Sequence, residues 1–360
     1  MSDDKLRIGI IGAGAWAVLD HIPHLRETSR AEIVALSRRD PERLAMAQQR
    51  FEIPEAFSDW REMLDRVPLD AVVVSTTHDA HTEPVLAALE RGLHVLAEKP
   101  LALTLRDARA MRQAAEQSGR VLMVNYQRRG GGRLRAAKQA LGEGAIGRIY
   151  QVNMALTYHF RWLLQPGSSE ETGLIAFGAQ VTGLPEAFFS EWARWKTDPV
   201  RMGGGLFVDM GSHYVDVALW LAGTGPGSAR PREVVAFGDP PGTRVERFIN
   251  AQARLDNGVL FSMTTGDTNA GQVGIQRIAI AGEEGVLEGD LGDLGELWIN
   301  RRGERTKVEP LPDVSIASAF VSAVRDGGPN ISPAHDAEQV VALTEAAYQS
   351  AEQGRIVRVE

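Results

Sequence analysis

The sequence predicts an α/β protein of two domains: a doubly wound parallel sheet over residues 1–125, then an α+β domain over 126–360 built on a large, mostly antiparallel open sheet. Three observations carry this. A chain of 360 residues exceeds the length at which a single core usually stops growing. From Leu6 to Asn125, short β-branched runs alternate with longer helical patterns, as in a parallel sheet covered by helices on both faces. From Arg232 to Val308, alternating strand patterns are broken by turn signals such as Asp256-Asn257-Gly258 and Glu283-Glu284-Gly285, as in an antiparallel sheet.

The elements follow in order. Strands are expected at Leu6 to Ile11, Glu32 to Ser37, Asp70 to Ser75, Leu93 to Ala97 and Arg120 to Val124, with a weaker one at Ala56-Phe57. One helix opens in the Gly12 loop, another at Asp40-Pro41 (cap, then proline in the first turn) and another near Thr82. A long one runs from Thr104 to Ser118 before Gly119. After Asn125 the pattern changes: Gly130 to Gly132 interrupt it, a helix runs to about Leu141 and a strand from Arg148 to Tyr158. A last helix spans Asp336 to Gln353. The least regular stretch, Gln165 to Gly205, reads either as a lid or as a partner-contacting loop.

Composition narrows the function classes. Hydrophobic residues make up 44% and charged residues 24%, ordinary for a globular chain, and no apolar run is long enough to span a bilayer. The net charge of -8 comes without a basic block, which argues against nucleic-acid or anionic-membrane surfaces and leaves a small molecule as the expected partner. The absence of cysteine excludes disulfides and thiolate metal sites, and no metal is expected. Met1 to Arg7 is charged and leads straight into a strand, so a cytoplasmic protein is expected.

Gly12-Ala13-Gly14-Ala15-Trp16-Ala17 follows an apolar strand and opens a helix. Gly12 permits a tight turn, Gly14 lets the backbone approach a pyrophosphate, and Ala17 is small enough for close helix packing. The helix N-terminus favours the negative charge, so this is the fingerprint of a dinucleotide-binding Rossmann domain. The end of the second strand commonly carries an acid that bonds the adenosine ribose; here it reads Ser37-Arg38-Arg39. A hydroxyl and guanidinium groups suit a 2′-phosphate, so NADP is preferred with NAD possible. The alternative is that both arginines are solvated and Asp40 is the ribose acid. Thr76, Thr77, His78 and His81 sit at the C-terminal end of the next main strand, where ligands bind in such sheets. They are cofactor contacts, although capping or surface contact explains each histidine equally well. Glu98-Lys99-Pro100 follows the fifth strand at the same edge, and proline favours an extended Lys99.

The second half of the chain holds Gly203-Gly204-Gly205, then Asp209, His213 and Asp216. On a helix, Asp209 and His213 lie one turn apart on one face, with Asp216 near it. They read either as a site pair or as a satisfied core pair. The glycine turn, Thr77-x-x-x-His81, Glu98-Lys99-Pro100, the glycine triplet and Asp209-x-x-x-His213 occur together in an order that resembles the glucose-fructose oxidoreductase, inositol dehydrogenase and rhizopine catabolism (Gfo/Idh/MocA) family, over nearly the whole chain. The resemblance implies that Lys99 lies beside substrate and nicotinamide, and that Asp209 and His213 bind substrate and move its proton. It implies hydride exchange with a secondary alcohol or ketone of a sugar, cyclitol or related polyol, and imidazole is well matched to such proton transfer near pH 7. Asn125-Tyr126-Gln127-Arg128-Arg129 and Gly130 depart from the commoner family pattern. Tyr126, Arg128, Tyr158, His159, Arg161 and Trp195 are candidate substrate-pocket walls that core packing explains as well. Two other classes stay open: a non-catalytic NAD(P)-sensing regulator, and an NAD-dependent glycosidase with transient redox. The open sheet face suggests a homodimer or homotetramer.

Overall fold

The computed structural model describes residues 5–159, 167–190, 194–223, 225, 227–239, 245–268 and 274–359. They divide into two compact units. One comprises Met1–Asn125, Trp162–Met202 and Ser315–Ala334; the other comprises Tyr126–Arg161, Gly203–Val314 and His335–Glu360. The division is therefore not a single cut in the chain.

The first unit is built on six parallel strands in the order β3-β2-β1-β4-β5-β6. They are β1 (Leu6–Ile11), β2 (Ala31–Ser37), β3 (Glu55–Phe57), β4 (Ala71–Val74), β5 (His94–Ala97) and β6 (Leu122–Val124). The central β4 is four consecutive buried apolar residues, as expected for a strand covered on both faces. The helix after the glycine turn starts as a π-helical segment, Ala17–His21, and continues as α1 (Ile22–Glu27). Then come α2 (Pro41–Phe51), α3 (Trp60–Arg66), α4 (Thr82–Glu90) and α5 (Leu105–Ser118). Asp40 caps α2 by accepting the Arg43 N–H, and Thr104 caps α5 by accepting the Asp107 N–H. Gly119 closes α5 in the left-handed conformation.

The stretch expected to be least regular is largely helical where it is described. It contains α7 (Ser169–Thr182), α8 (Glu186–Phe189), a 3-10 turn at Arg194–Thr197 and α9 (Pro199–Met202). Its start signals were present, because Ser168 accepts the Glu171 N–H and Gly183 closes α7. Arg50 Nε donates to the Thr182 carbonyl at 2.5 Å and Arg43 Nε to the Ala187 carbonyl at 3.1 Å, so this segment packs on α2. The helix α11 (Ile316–Asp326) also belongs to this unit.

The second unit is built on a nine-stranded sheet, ordered β14-β13-β12-β11-β7-β10-β9-β8-β15. The strands are β7 (Ile149–Tyr158), β8 (Pro231–Gly238), β9 (Phe248–Leu255), β10 (Leu260–Asp267), β11 (Gln276–Gly282), β12 (Gly285–Asp290), β13 (Leu297–Arg301), β14 (Glu304–Lys307) and β15 (Val357–Arg358). Pairing is antiparallel except between β7 and β10, which run parallel. The strict alternation of burial along β9 leaves one face of the sheet open. Its helices are α6 (Gly132–Gly142), α10 (Ser212–Ala222) and α12 (Ala334–Gln353). Helix α10 is buried along its whole length. Among the described residues, no helix is long and apolar enough to cross a membrane.

Candidate active site

In the first unit the site starts at the glycine turn. Gly12 has φ +90°, and a Cβ there would lie 2.4 Å from the Ser75 carbonyl oxygen, so no other residue fits. The Gly12 and Ala13 N–H groups donate to the Ser37 carbonyl at 2.9 and 3.0 Å, which ties the turn to the end of β2. A Cβ on Gly14 would meet nothing closer than 3.9 Å, with the Arg38 guanidinium at 4.0 Å. Arg38 Nη1 donates to the Ala13 carbonyl at 2.8 Å, and its guanidinium stacks 4.8 Å from the centre of the Phe188 ring. An open glycine backbone at a helix start, flanked by a fixed arginine, is a cradle that fits a dinucleotide phosphate. Ser37 is buried, Ala15 half-buried, and Trp16 and Arg39 exposed. The Asp40 carboxylate caps α2 and pairs with Arg43 Nη1 at 2.7 Å, which engages the alternative ribose acid.

The next turn is held by its own polar groups. Thr76 Oγ1 donates to the Ala80 carbonyl at 2.9 Å, and Thr77 Oγ1 donates to Asp79 at 2.6 Å. His78 is buried, donates from Nδ1 to the Met202 carbonyl at 3.0 Å, and meets Trp195 edge-on at 4.8 Å. His81 is fully buried, donates from Nδ1 to the Pro100 carbonyl at 2.9 Å, and has Nε2 3.3 Å from the Thr76 carbonyl. Burial holds its pKa below the usual imidazole value, and the Nδ1–H bond ties this turn to the Pro100 carbonyl.

Lys99 is half-buried, and the Lys99-Pro100 peptide is cis. Its neighbour Glu98 is buried in a network that sequence reasoning missed. Glu98 Oε1 accepts from His21 Nε2 at 2.8 Å and from Asn125 Nδ2 at 2.7 Å, while Oε2 accepts the Lys99 N–H at 3.1 Å. Burial alone would lower the His21 pKa, but the bond and charge of Glu98 and the charge of Asp20 raise it overall. Burial alone would raise Glu98, and His21, Asn125 and Lys99 bring it below the usual carboxylate value. Asp20, His21 and Glu98 offer ligand atoms within 4.8 Å of one another, yet the His21–Glu98 ion pair already uses two of them. The Glu98 carboxylate thus holds the backbone that presents Lys99. A histidine seven residues after Gly14 was the available signal.

In the second unit, Asp209 lies in a π-helical segment, Phe207–Gly211, that runs directly into α10 with His213 in its first turn. Both side chains are buried, at 2% and 8% exposure, and the Tyr126 ring stands edge-on to the His213 imidazole at 6.0 Å. The charge of Asp209 reaches Tyr158, whose phenol is raised above its usual pKa by burial and then by that charge. Arg128 Nη1 donates to the Leu291 carbonyl at 2.9 Å and Nη2 to Tyr214 Oη at 2.7 Å; Tyr214 donates in turn to Gln276 Oε1 at 2.6 Å. His159 is half-buried, and Arg161 lies outside the described residues.

Asp216 has a different part from that of Asp209 and His213. It is fully buried and bound by Arg129 Nε at 2.9 Å and Nη2 at 2.6 Å, and Arg129 Nη1 reaches Asp336 at 2.6 Å. This ion triad fixes α10 against the start of α12. The structure gives Asp216 to the scaffold.

A Rossmann unit with a phosphate cradle and an α+β unit with a buried Asp-His pair define a dinucleotide-dependent oxidoreductase. Two family models match: the oxidoreductase family with NAD-binding Rossmann fold over residues 6–126, and the GFO/IDH/MocA C-terminal domain over residues 134–288. The chain belongs to this family. It is 27% identical to D-apiose dehydrogenase of Paraburkholderia graminis, with 99% of this chain and 90% of that one covered. It is 28% identical to 1,5-anhydro-D-fructose reductase of Ensifer adhaerens, with 98% of each covered. Among solved structures, the WlbA dehydrogenase of Bordetella pertussis, in complex with NADH and UDP-GlcNAcA, superposes with TM-score 0.77 at 26% identity, covering 99% of each chain.

Proposed function

We propose that this chain exchanges a hydride between NADP and a secondary alcohol or ketone carbon of a sugar, cyclitol or related polyol. The observation that carries the reading is the pair of buried ionisable groups, Asp209 and His213, on one helix with Tyr126 and Tyr158 beside them. The cradle at Gly14 would hold the dinucleotide phosphates, and the bound nicotinamide would supply or accept the hydride. His213 exchanges the hydroxyl proton, a contribution of about a hundredfold to ten-thousandfold. Asp209 holds the substrate hydroxyls, and Lys99, presented through Glu98, polarises the reacting oxygen.

Arg38 supports NADP over NAD, because its guanidinium is already fixed beside the glycine turn and Asp40 is engaged elsewhere. Names of relatives support the substrate class: D-apiose dehydrogenase, 1,5-anhydro-D-fructose reductase and the myo-inositol 2-dehydrogenase of Thermotoga maritima all act on sugars or cyclitols. Phe237, exposed at 72%, and Leu260 lie on the open sheet face, and we read that face as the contact with a second copy, in a dimer or tetramer of a cytoplasmic enzyme.

The test is to give pure protein NADPH or NADP with a panel of pentoses, hexoses, anhydro-sugars and cyclitols, following the nicotinamide absorbance. Turnover supports the oxidoreductase. Saturable cofactor binding without turnover selects a sensor, and sugar cleavage without net nicotinamide change selects a glycosidase.

A further inference from the structure

The segment that carries Asp209 has four N–H groups with no intrahelical acceptor, because its first i to i−4 bond is Asp209 N–H to the Gly205 carbonyl. All four are satisfied by two residues far away in sequence. The Leu206 N–H donates to the Glu246 carbonyl at 3.0 Å, and the Phe207 N–H to Glu246 Oε1 at 2.8 Å. The Gly205 and Val208 N–H groups both donate to Tyr348 Oη, at 3.4 and 3.1 Å. Tyr348 closes the cluster by donating its proton to Glu246 Oε1 at 3.0 Å.

The glycines before the helix exist for these partners. A Cβ on Gly204 would lie 2.2 Å from Tyr348 Oη, and one on Gly205 would lie 2.0 Å from the Glu246 carbonyl oxygen. Neither space can be opened without displacing one of the two capping residues. A helix without a cap of its own at Leu206 is thus started by a buried carboxyl and a phenol that reach it from two residues before β9 and from α12. The Tyr348 ring also packs edge-on against Phe207 at 6.1 Å.

We propose that Glu246 and Tyr348 are positioning residues of the active site: they set the start, and so the rotation, of the helix that places Asp209 and His213. This rests on the reading of Asp209 and His213 as the substrate-binding and proton-transfer pair. Removing an acceptor lets the first turn shift. A displacement of about 1 Å at a reacting group costs up to about a hundredfold in turnover.

The experiment uses the full-length protein with ¹³C-labelled histidine and needs no substrate for its first readout. In Tyr348→Phe and Glu246→Ala, the His213 resonance and its titration midpoint move, while those of His78, His81 and His94 in the other unit stay. Amide exchange accelerates at Gly205 and Val208 in the first variant and at Phe207 in the second. Glu246→Gln keeps a carbonyl acceptor and restores the wild-type His213 signal. With the sugar or cyclitol turned over in the panel above, Tyr348→Phe loses about tenfold to a hundredfold in kcat while the NADPH dissociation constant is unchanged. Folded variants in which His213 titrates as in wild type would overturn the proposal. His213→Ala in the same assay separates the two layers: full turnover there removes the underlying site reading, whatever Glu246 and Tyr348 do.

Discussion

Arg129→Met withdraws a buried guanidinium from two carboxylates at once. Arg129, Asp216 and Asp336 are each no more than 2% exposed, and the arginine reaches Asp216 from Nε and Nη2 and Asp336 from Nη1, with its closest contacts at 2.6 Å. Breaking a buried pair by removing one partner costs about 3–5 kcal/mol, because the remaining charge is left uncompensated. For a domain of this size that lowers the thermal midpoint by about 6–20 °C. The sign of the pH dependence is diagnostic. Burial pushes the Asp336 carboxyl up, but bonds from His335 and Arg129 bring it down to about 2. Its contribution is therefore present above the unfolded carboxylate value and lost as pH falls toward 2. Burial already holds Asp216 above the usual carboxylate value in wild type; in Arg129→Met both carboxylates lose the guanidinium that lowers them, so acidification from pH 7 to 5 stabilises the variant more than it stabilises wild type. Arg129→Met/Asp216→Leu/Asp336→Leu recovers most of the loss. Thermal melts at pH 5 and 7 decide the matter. A loss under about 1 kcal/mol, or parallel pH profiles for variant and wild type, refutes the reasoning.

Further outcomes follow from the same residues. Arg38→Asp reverses cofactor preference toward NAD, weakening NADP by about tenfold to a hundredfold for the lost charge-assisted bond; an unchanged NADP/NAD ratio of kcat/KM rejects the assignment. Wild type carries a His21 contribution that is complete below about pH 6.5 and fades as pH rises through the raised imidazole value. His21→Gln loses that dependence, and melts from pH 6 to 9 with equal slopes count against the Glu98 ion pair. Burial pushes the Glu246 carboxyl up to about 7, so stability falls as pH rises from the unfolded value through 7. Glu246→Gln flattens this and gains on the order of 3 kcal/mol at pH 8; no gain would show that the carboxyl ionises freely.

Local signals carried most of the architecture. Apolar runs between glycine, proline and capping residues mark β1 to β6. The Asp40-Pro41 and Thr104 to Gly119 helix limits follow from side chains within one turn of the ends they cap. Alternation marks the second sheet, although the parallel pairing of β7 with β10 does not follow from alternation, which is the same for both orientations. What the sequence conceals is contact across distance. Glu98 gains its meaning from His21 and Asn125, 77 and 27 positions away. Asp216 belongs to Arg129, and the glycine triplet serves Glu246 and Tyr348, 39–40 and 140–143 positions from the amides they bind. The helices between 169 and 202 had readable caps at Ser168 and Gly183. An apolar sequence in α7 without a clear polar face obscured them.

The most direct test of the central claim is isotopic. NADPH deuterated at nicotinamide C4 is supplied with the ketone form of whichever panel compound is turned over, and the alcohol product is analysed by mass spectrometry. The account predicts one deuterium on the carbinol carbon per nicotinamide oxidised in wild type, and loss of that transfer in His213→Ala. Alcohol product without deuterium at that carbon, using either face of the labelled nicotinamide, would contradict hydride transfer by this chain.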